Sequence, residues 1–542
     1  MMIALDFTVP SLDYLLLAPI LIVLGAACVG ILVEAFVPRG ARFAAQVALS
    51  VLALGAATGV LVWRWADKGD ASRGLADPWA GSWVTGTVMV DGVSQAMWAI
   101  LFGFGLVSVV LFAERRVHVG ATAFTPSAAA IPGSQAEREA DDAGLVHSEV
   151  FPLALFSLGG MALLVSANDL LMLFIALEVL SLPLYVMAGL ARHRRLVSQE
   201  AALKYFLLGA AASAILLFGV GLLFGYSGSF SYDQLAHAVT FVNGQEGLLL
   251  AGLGLVVVGL LFKIGAVPFH SWVPDVYQGS PTPVTAFMSV CTKIAAVGGL
   301  LRVLYVGLGG LKWTWQPVVA SVAILSIVIG SVIAINQSDI KRVLAYSAIS
   351  HAGFVLVPVA GAFTLTLADP AVQSGSVASI MFYLVAYGFA GIGAFAVVSL
   401  VRDQGREVTS LEAWAGIGRS NPLIGIIMLI FLLSMAGIPL TGGFIGKLAA
   451  FTAAWRGGYW WLVLVAVAGA VIAVFIYIRV IQVMFFRTPA DSPHAEIVMP
   501  GMATWIVLIV CLLGTLGLGL VPGPLLDLLQ SAGAFALPVG GR

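Results

Sequence analysis

Apolar runs long enough to cross a bilayer follow one another along almost the whole chain, and polar residues gather mainly in the gaps between them. A hydrocarbon core about 30 Å thick takes about 20 apolar residues of helix. Runs of that kind fall near 15–37, 42–63, 91–113, 150–166, 169–191, 201–225, 247–274, 282–307, 315–335, 341–361, 376–401, 422–455, 458–486 and 503–521, and they predict about fourteen transmembrane helices. The expected fold class is an all-α polytopic membrane protein. Two connections stand out: a mixed-charge, Trp-containing loop over 64–90, and an Ala/Ser/Pro-rich stretch over 114–149 that opens on ERRVH and carries EREADD near its end. The composition of the second predicts a poorly ordered insert.

Of the 542 residues 60% are hydrophobic and 10% charged, against about 25% charged in soluble globular chains, so lipid is the main solvent. A net charge of −1 offers no basic face to nucleic acid. Cys28, Cys291 and Cys511 lie singly in apolar runs, with no ligand spacing for zinc, an iron–sulfur cluster or a disulfide, and are expected to be small buried hydrophobes. The N-terminal MMIALDFTVPSLDY carries acids where a signal peptide carries Lys or Arg, so the first run is expected to be a permanent span.

Lys and Arg concentrate in cytoplasmic loops. Here the odd-numbered loops hold Arg39, Arg42, Arg115, Arg116, Arg138, Arg192, Arg194, Arg195, Lys341, Arg342, Arg402, Arg406, Arg419 and Arg487, while the even-numbered ones hold Arg64, Lys68, Arg73, Lys312 and Arg456. Both termini are therefore expected outside. The seventh and twelfth runs exceed one span and contain proline, in KIGAVPFHSW around Pro268 and SMAGIPLTGGF around Pro439. Such interruptions are tolerated where the freed backbone faces protein or water. They stand five spans apart, an odd number, so spans four to eight and nine to thirteen are expected to be inverted copies of one unit. The division that follows is an N-terminal three-helix segment over 1–149, repeats over 150–310 and 311–490, and a C-terminal helix over 491–542.

A charge at the bilayer centre costs about 2.5–3.5 kcal/mol on the insertion scale and usually marks an interior path. Glu178 falls midway along the fifth run, Lys263 just before the Pro268 break, Lys293 midway along the eighth and Lys447 just after the Pro439 break. One structural ion pair would account for Glu178 and a single lysine and leave others over. Lysine, unlike arginine, readily loses its proton when buried, which suits a relay. Lys204 sits near its helix end, where snorkelling and a pair with Glu200 compete with a path role. His351, midway down the tenth run, is either a hydrogen-bonded structural imidazole or a proton carrier. His270 at the Pro268 break is expected to cap a helix end or gate water. Asp91, Asp169 and Asp339 stand at span starts and are read as helix N-caps. Arg302, Arg479 and Glu34, near span ends, are read as anchors or subunit contacts.

Five segments carry a resemblance: FIALEVLSLPLYVMAG, EAALKYFLLGAAASAILLFGVGLLFGYSG, LLFKIGAVPFHSWVPDVYQGSPTPVTAFMSVCTKIAA, INQSDIKRVLAYSAISHAGF and SMAGIPLTGGFIGKLAAF. In this order, over roughly 150–485, the chain resembles the antiporter-like membrane subunits of proton-pumping NADH:quinone oxidoreductase, respiratory complex I, and among them most closely the N type. The resemblance implies two inverted five-helix units joined by a central axis of charged residues. It places the family's fifth-helix glutamate at Glu178, its broken-helix lysine at Lys263, its connecting lysine at Lys293 and its second-unit lysine at Lys447, where the M type typically has glutamate. It further implies proton translocation in a bacterial inner membrane, coupled remotely to NADH oxidation and quinone reduction on other subunits. No cofactor is implied on this chain. The implied partners are other membrane-arm subunits, including M-type and K/J-type neighbours, and lipid. A cation/proton antiporter subunit of a related multisubunit antiporter or membrane-bound hydrogenase shares this logic, and a non-transporting scaffold is the remaining alternative.

The loop count predicts that a single cysteine at position 193, in whole cells, is protected from an impermeant thiol reagent added outside. Labelling at that position would reverse the topology.

Overall fold

The computed structural model describes residues 13–66, 82–83, 86–118, 120–241, 244–362, 370–403, 405–488 and 495–535. Lys68 and Arg73, counted above in the second loop, lie outside them. Each apolar run forms a helix or a pair of helices flanking a break. In chain order these are α1 (Tyr14–Phe36), α2 (Arg39–Ala66), α3 (Gly92–Phe112), α4 (Val150–Ser166), α5 (Leu170–Ala188), α6 (Arg195–Ser227), α7a (Glu246–Ile264) and α7b (Trp272–Gly279), followed by α8 (Thr282–Gly307). There follow α9 (Lys312–Ile335), α10 (Ile340–Ala360), α11 (Pro370–Val398), α12a (Pro422–Ala436) and α12b (Gly442–Arg456), α13 (Trp460–Phe486), α14 (Met502–Leu520) and a short C-terminal α15 (Gly523–Ala532). Twelve helices among the described residues are long and apolar enough to cross a membrane, or thirteen if the bent pair Glu412–Ser420 and Pro422–Ala436 counts as one span. The expected number, about fourteen, is these twelve together with α4, of 17 residues, and α12, split into two halves of 15.

The helices sort by what surrounds them. The apolar stretch of α8 is wholly buried in protein and those of α10 and α11 nearly so, whereas α1, α2, α6, α13 and α14 leave most of theirs exposed. The inner three meet only protein, which is why polar side chains can be held at mid-depth on α8, α10 and α11.

The two breaks are built alike. At the end of α7a, Gly265 adopts φ 78° and its N–H bonds Leu261 and Phe262 oxygens, with Ala266 N–H also on Leu261. At the end of α12a, Gly437 adopts φ 84° and bonds Leu433 and Ser434, with Ile438 N–H also on Leu433. Both are glycine stops of the Schellman type, in which a left-handed residue turns the last N–H groups back onto carbonyls. The proline that follows cannot restart the helix with its own N–H.

Asp91, Asp169 and Asp339 cap α3, α5 and α10 as expected, accepting from Ser94, Met172, and both Lys341 and Arg342 backbone nitrogens. Arg302 departs from expectation. It is 0% exposed and its Nη2 lies 2.7 Å from Asp91 Oδ1, so it neither snorkels nor reaches a partner subunit. Its Nε donates to Val165 O at 2.5 Å and its Nη2 also to Ser94 Oγ at 2.5 Å. Arg479 donates instead to the Ile335 and Gln337 carbonyls at the end of α9, and Glu34 accepts from Gln46 on α2. Cys291 and Cys511 are buried as expected, but Cys28 is exposed on the outer side of α1.

The insert is also a correction. Residues 120–149 pack onto the end of the bundle: Thr125 N–H bonds Leu190 O, Arg192 N–H bonds Ala123 O, and Arg195 pairs with Glu137 at 3.2 Å while donating to the Ala128 and Ala130 carbonyls. A helix, Gln135–Asp142, forms within it. Its polar composition reflects what it binds, the arginine-rich loop after α5. On the same face, β3 (Val401–Asp403) pairs with β4 (Arg406–Glu407) and β5 (Glu496–Ile497), and on the opposite face β1 (Ser82–Trp83) pairs with β2 (Met89–Val90).

Removing one partner of a buried ion pair costs about 3–5 kcal/mol because the other is left charged and dry. Arg302→Met is therefore expected to lower the amount of assembled protein in membranes several-fold, and adding Asp91→Asn to restore part of it. An Arg302→Met level equal to wild type would contradict the pair's place in the fold.

Candidate functional site

Lys293, His351 and Lys447 come together at mid-depth. Lys293, on α8 just after a π-helical turn (Met288–Thr292), donates Nζ to Ala348 O of α10 at 2.5 Å and lies 4.8 Å from the centre of the Tyr387 ring. The other neighbour of that ring is His351, with centroids 4.7 Å apart. His351 Nδ1 is 2.6 Å from Tyr383 Oη and its Nε2 is 3.1 Å from Tyr477 Oη, which reaches Ser347 at 2.6 Å. A small cavity runs from His351 past Tyr383 and Tyr387 to Ser434, Met435 and Gly443, at the α12 break.

Lys447 closes that break. From the first turns of α12b its Nζ reaches back to the Met435 and Ala436 carbonyls, at 3.0 and 2.8 Å, and lies 4.9 Å from the Phe354 ring centre. The carbonyl end of a helix carries about half a negative charge, so the ammonium caps α12a much as an acid would pair with it. Among the described residues neither Lys293, Lys447 nor Lys263 has a carboxylate oxygen within 4.0 Å. Carbonyls and an aromatic face take the place of a counter-ion at Lys447.

Lys263 and Glu178 form a second group. The Lys263 ammonium sits beside the Tyr185 and Tyr205 rings, 5.3 and 5.2 Å from their centres, the two rings meeting edge to face at 4.7 Å. Tyr205 stacks on Trp272 of α7b, whose indole donates across the break to Phe262 O at 2.9 Å. Glu178 is near enough for its charge to act on Lys263 without touching it. It stands in register with Leu171, Ile175, Leu182 and Val186, each more than 40% exposed, but is itself half-buried, with Oε1 buried and without a hydrogen-bond partner.

Lys204 stands apart, 42% exposed, pairing with Glu200 at 2.7 Å and with Asp275 of α7b at 2.8 Å. Asp275 in turn pairs with Arg342 of α10 at 2.7 Å. This chain of charges ties α6, α7b and α10 at the arginine-rich end. Beside it Lys341 donates to Ser280 O and Thr282 Oγ1, and Thr282 donates to Glu407 of β4 at 2.6 Å. Burial pushes the Glu407 carboxyl up, but Lys341 at 3.4 Å and the Arg402 guanidinium outweigh it and hold it below the usual carboxylate range. His270 lies at the α7 break with its ring 6.5 Å from Tyr346 and no protein partner on Nδ1.

Sequence reasoning missed the tyrosines. Tyr185, Tyr205, Tyr383, Tyr387 and Tyr477 touch the lysines or the imidazole, and for the last three the available signal was position: tyrosine in a membrane protein belongs to the interfacial belts, and Tyr383, Tyr387 and Tyr477 stand inside their spans, whereas Tyr185 and Tyr205 lie toward span ends and gave no such signal.

The sequence profile of the family described as NADH:quinone oxidoreductase/Mrp antiporter, TM, matches residues 167–473. A protein named NADH-quinone oxidoreductase subunit N from a Nocardioides species is 51% identical over 539 residues, spanning 98% of this chain and 100% of its own. Another of that name from Cutibacterium acnes is 49% identical, over 98% of this chain and 97% of its own. A chain of respiratory complex I from Thermus thermophilus with bound aureothin is 31% identical with a TM-score of 0.72, covering 95% of this chain and 99% of that one. A chain of the Mrp complex from a Dietzia species, at 20% identity and a TM-score of 0.74 over 95% and 97% of the two chains, shares the fold.

Because the folded state lowers the Glu407 carboxyl, the stability it supplies is full above the ordinary carboxyl pKa and is lost as pH falls through the lower folded value. Glu407→Gln is expected to cost about 1.5–3 kcal/mol near neutrality, and the gap to wild type should close in acid. Thermal unfolding of the purified assembly across pH checks this; a gap that widens in acid would contradict it.

Proposed function

Since the chain belongs to the family of NADH-quinone oxidoreductase subunit N, a multi-pass membrane subunit of that complex, we propose that it carries protons across the membrane, driven by redox chemistry on other subunits. The observation that carries this is the polarity of the three inner helices and α12b on either side of His351. From the arginine-rich face, α8 presents Thr282, Thr285, Ser289 and Thr292, spaced 3, 4 and 3 residues apart and all buried, down to Lys293; beyond it runs IAAVGGLL. α10 likewise presents Lys341, Ser347 and Ser350 before His351 and only AGFVLVPVA after it. The other two helices are reversed: α11 carries Ser376, Ser379, Tyr383 and Tyr387 toward the opposite face and GFAGIGAFAVV toward the arginine-rich one. On α12b, Lys447 and Thr452 lead to Arg456, and Thr452 and Arg456 line a mostly apolar cavity of about 340 Å³ to which Ser376, Ser379 and Gln530 also contribute.

Two polar half-paths thus enter from opposite faces and meet at Lys293, His351 and Lys447, each sealed beyond the meeting point by apolar helix. That is what alternating connection of a proton site requires. With the arginine-rich face in the cytoplasm and both termini outside, protons enter along α8 to Lys293 and pass by way of His351 to Lys447, then leave past Ser379 and Arg456. Lysine performs this because it can lose its proton when buried. The two units with their matched breaks are inverted repeats, over 150–310 and 311–490, flanked by the segments 1–149 and 491–542. Glu178, half-buried on a stripe whose other members are exposed, lies against a neighbouring membrane-arm subunit of M or K/J type; a carboxylate in mid-span does not face lipid. A change of charge in that neighbour reaches Lys263 through Glu178 and resets the first unit. Lys204 serves the arginine-rich end.

The test separates charge from titratability at Lys447. Lys447→Arg keeps the charge and holds its proton at any physiological pH; Lys447→Met removes the charge at similar length. Both are expected to assemble and to lower proton pumping at least several-fold, with NADH–quinone turnover slowed in step, in membranes of matched complex content. Full pumping by the arginine variant would overturn the relay and leave a structural cap on α12a.

A further inference from the structure

The 114–149 insert, with its fixed seat on the bundle, encloses something outside the proton path. Between it and the α1–α2 turn lies a polar cleft of about 460 Å³, lined among others by Arg39, Arg42, Arg115, His147, Glu34 and Glu149. That size lies within the roughly 300–1,000 Å³ of ligand pockets. Arg42 spends its Nε on Val37 O at 2.7 Å and Arg115 its Nε on Gly120 O at 2.6 Å, and the Arg115 guanidinium lies 5.2 Å from the Phe43 ring centre. These contacts fix two guanidinium planes; of the terminal nitrogens, Arg42 Nη1 stands 3.9 Å from Glu34. The two acids have partners within the cleft: Glu34 also accepts from Gln46 at 2.7 Å, and Glu149 pairs with His147 at 2.8 Å. Three arginines against two carboxylates leave a positive excess that suits an anion with several oxygens.

Its position names the anion. The cleft stands where α1 ends and α2 begins, at the level at which the apolar face of α1 stops, and below it Ile31, Leu32 and Phe36 are 52, 56 and 82% exposed. An anion held there has acyl-binding surface directly beneath it. We propose that this cleft binds the phosphate headgroup of an anionic phospholipid, its chains lying along the outer face of α1, so that the insert is a lipid clasp. The proposal rests on the membrane placement of the chain and is independent of the proton path.

The experiment uses the assembled complex in nanodiscs containing phosphatidylcholine with a minor fraction of phosphatidylglycerol, followed by counting of retained lipid by native mass spectrometry. Arg39→Gln, Arg42→Gln and Arg115→Gln are each expected to lower retention of phosphatidylglycerol relative to phosphatidylcholine by about fivefold, the effect of one basic residue at a lipid surface. Glu34→Gln is expected to raise it, a change of opposite sign that a folding defect does not produce. Pumping by these variants should stay at the wild-type level, which separates failure of this proposal from failure of the proton path. Retention unchanged in all four variants would overturn the proposal. Inorganic phosphate bound by the complex in pure phosphatidylcholine, lost in the arginine variants with no preference for phosphatidylglycerol, would replace the lipid with a free anion. Protection of a cysteine at position 39 by a neighbouring subunit, with no lipid retained, would replace it with a protein contact.

Discussion

Three ammonium groups are held in the protein interior with no carboxylate among the described residues against any of them, and most of the architecture answers that one demand. Water supplies a lysine with hydration that apolar side chains cannot replace, so each charge must find partial negative charge in fixed dipoles or π faces. Lys447 finds it at the open carbonyl end of α12a, Lys293 at a carbonyl of α10 and the face of Tyr387, and Lys263 beside two tyrosine rings. Such partners favour the charge without locking it, because a carbonyl or ring, unlike a carboxylate, leaves the neutral amine tolerable as well.

The broken helices and the inner triad follow from this. A continuous α12 would bond the Met435 and Ala436 carbonyls within the helix; the glycine stop at Gly437 frees them for Lys447. Of the helices that carry or line these groups, α8, α10 and α11 are wrapped by others, while Lys263 and Lys447 are buried from α7a and α12b. Stability is supplied at the two ends, by the sealed Asp91–Arg302 pair on one side and, at the mouth of the α8 half-path, by the ion pairs around Asp275 and Glu407 on the other.

The spans, the breaks and the depth of each lysine were legible in the sequence, because bilayer thickness sets helix length and a mid-span charge is conspicuous against leucine and valine. What surrounds each charge was not. Carbonyl partners leave no mark on residue identity, so nothing in the sequence named the helix end that serves Lys447. Arg302 near a span end looks the same whether it snorkels or pairs inward; only the meeting of α8 with α3 decides. The insert read as disordered since its polar residues are satisfied by a loop far along the chain, Arg192 to Arg195. The tyrosines were visible and overlooked, and the family resemblance placed Glu178, Lys263, Lys293 and Lys447 without saying which of them meet.

The central claim is that two half-paths open to opposite faces and join at His351. Silver-ion access to a single cysteine at Thr285 or at Ser379, in a chain whose own 3 cysteines are replaced, tests it most directly in oriented vesicles. Inhibition of pumping through position 285 from the arginine-rich face alone, and through position 379 from the other face alone, is the predicted result. Access to both positions from the same face would contradict it.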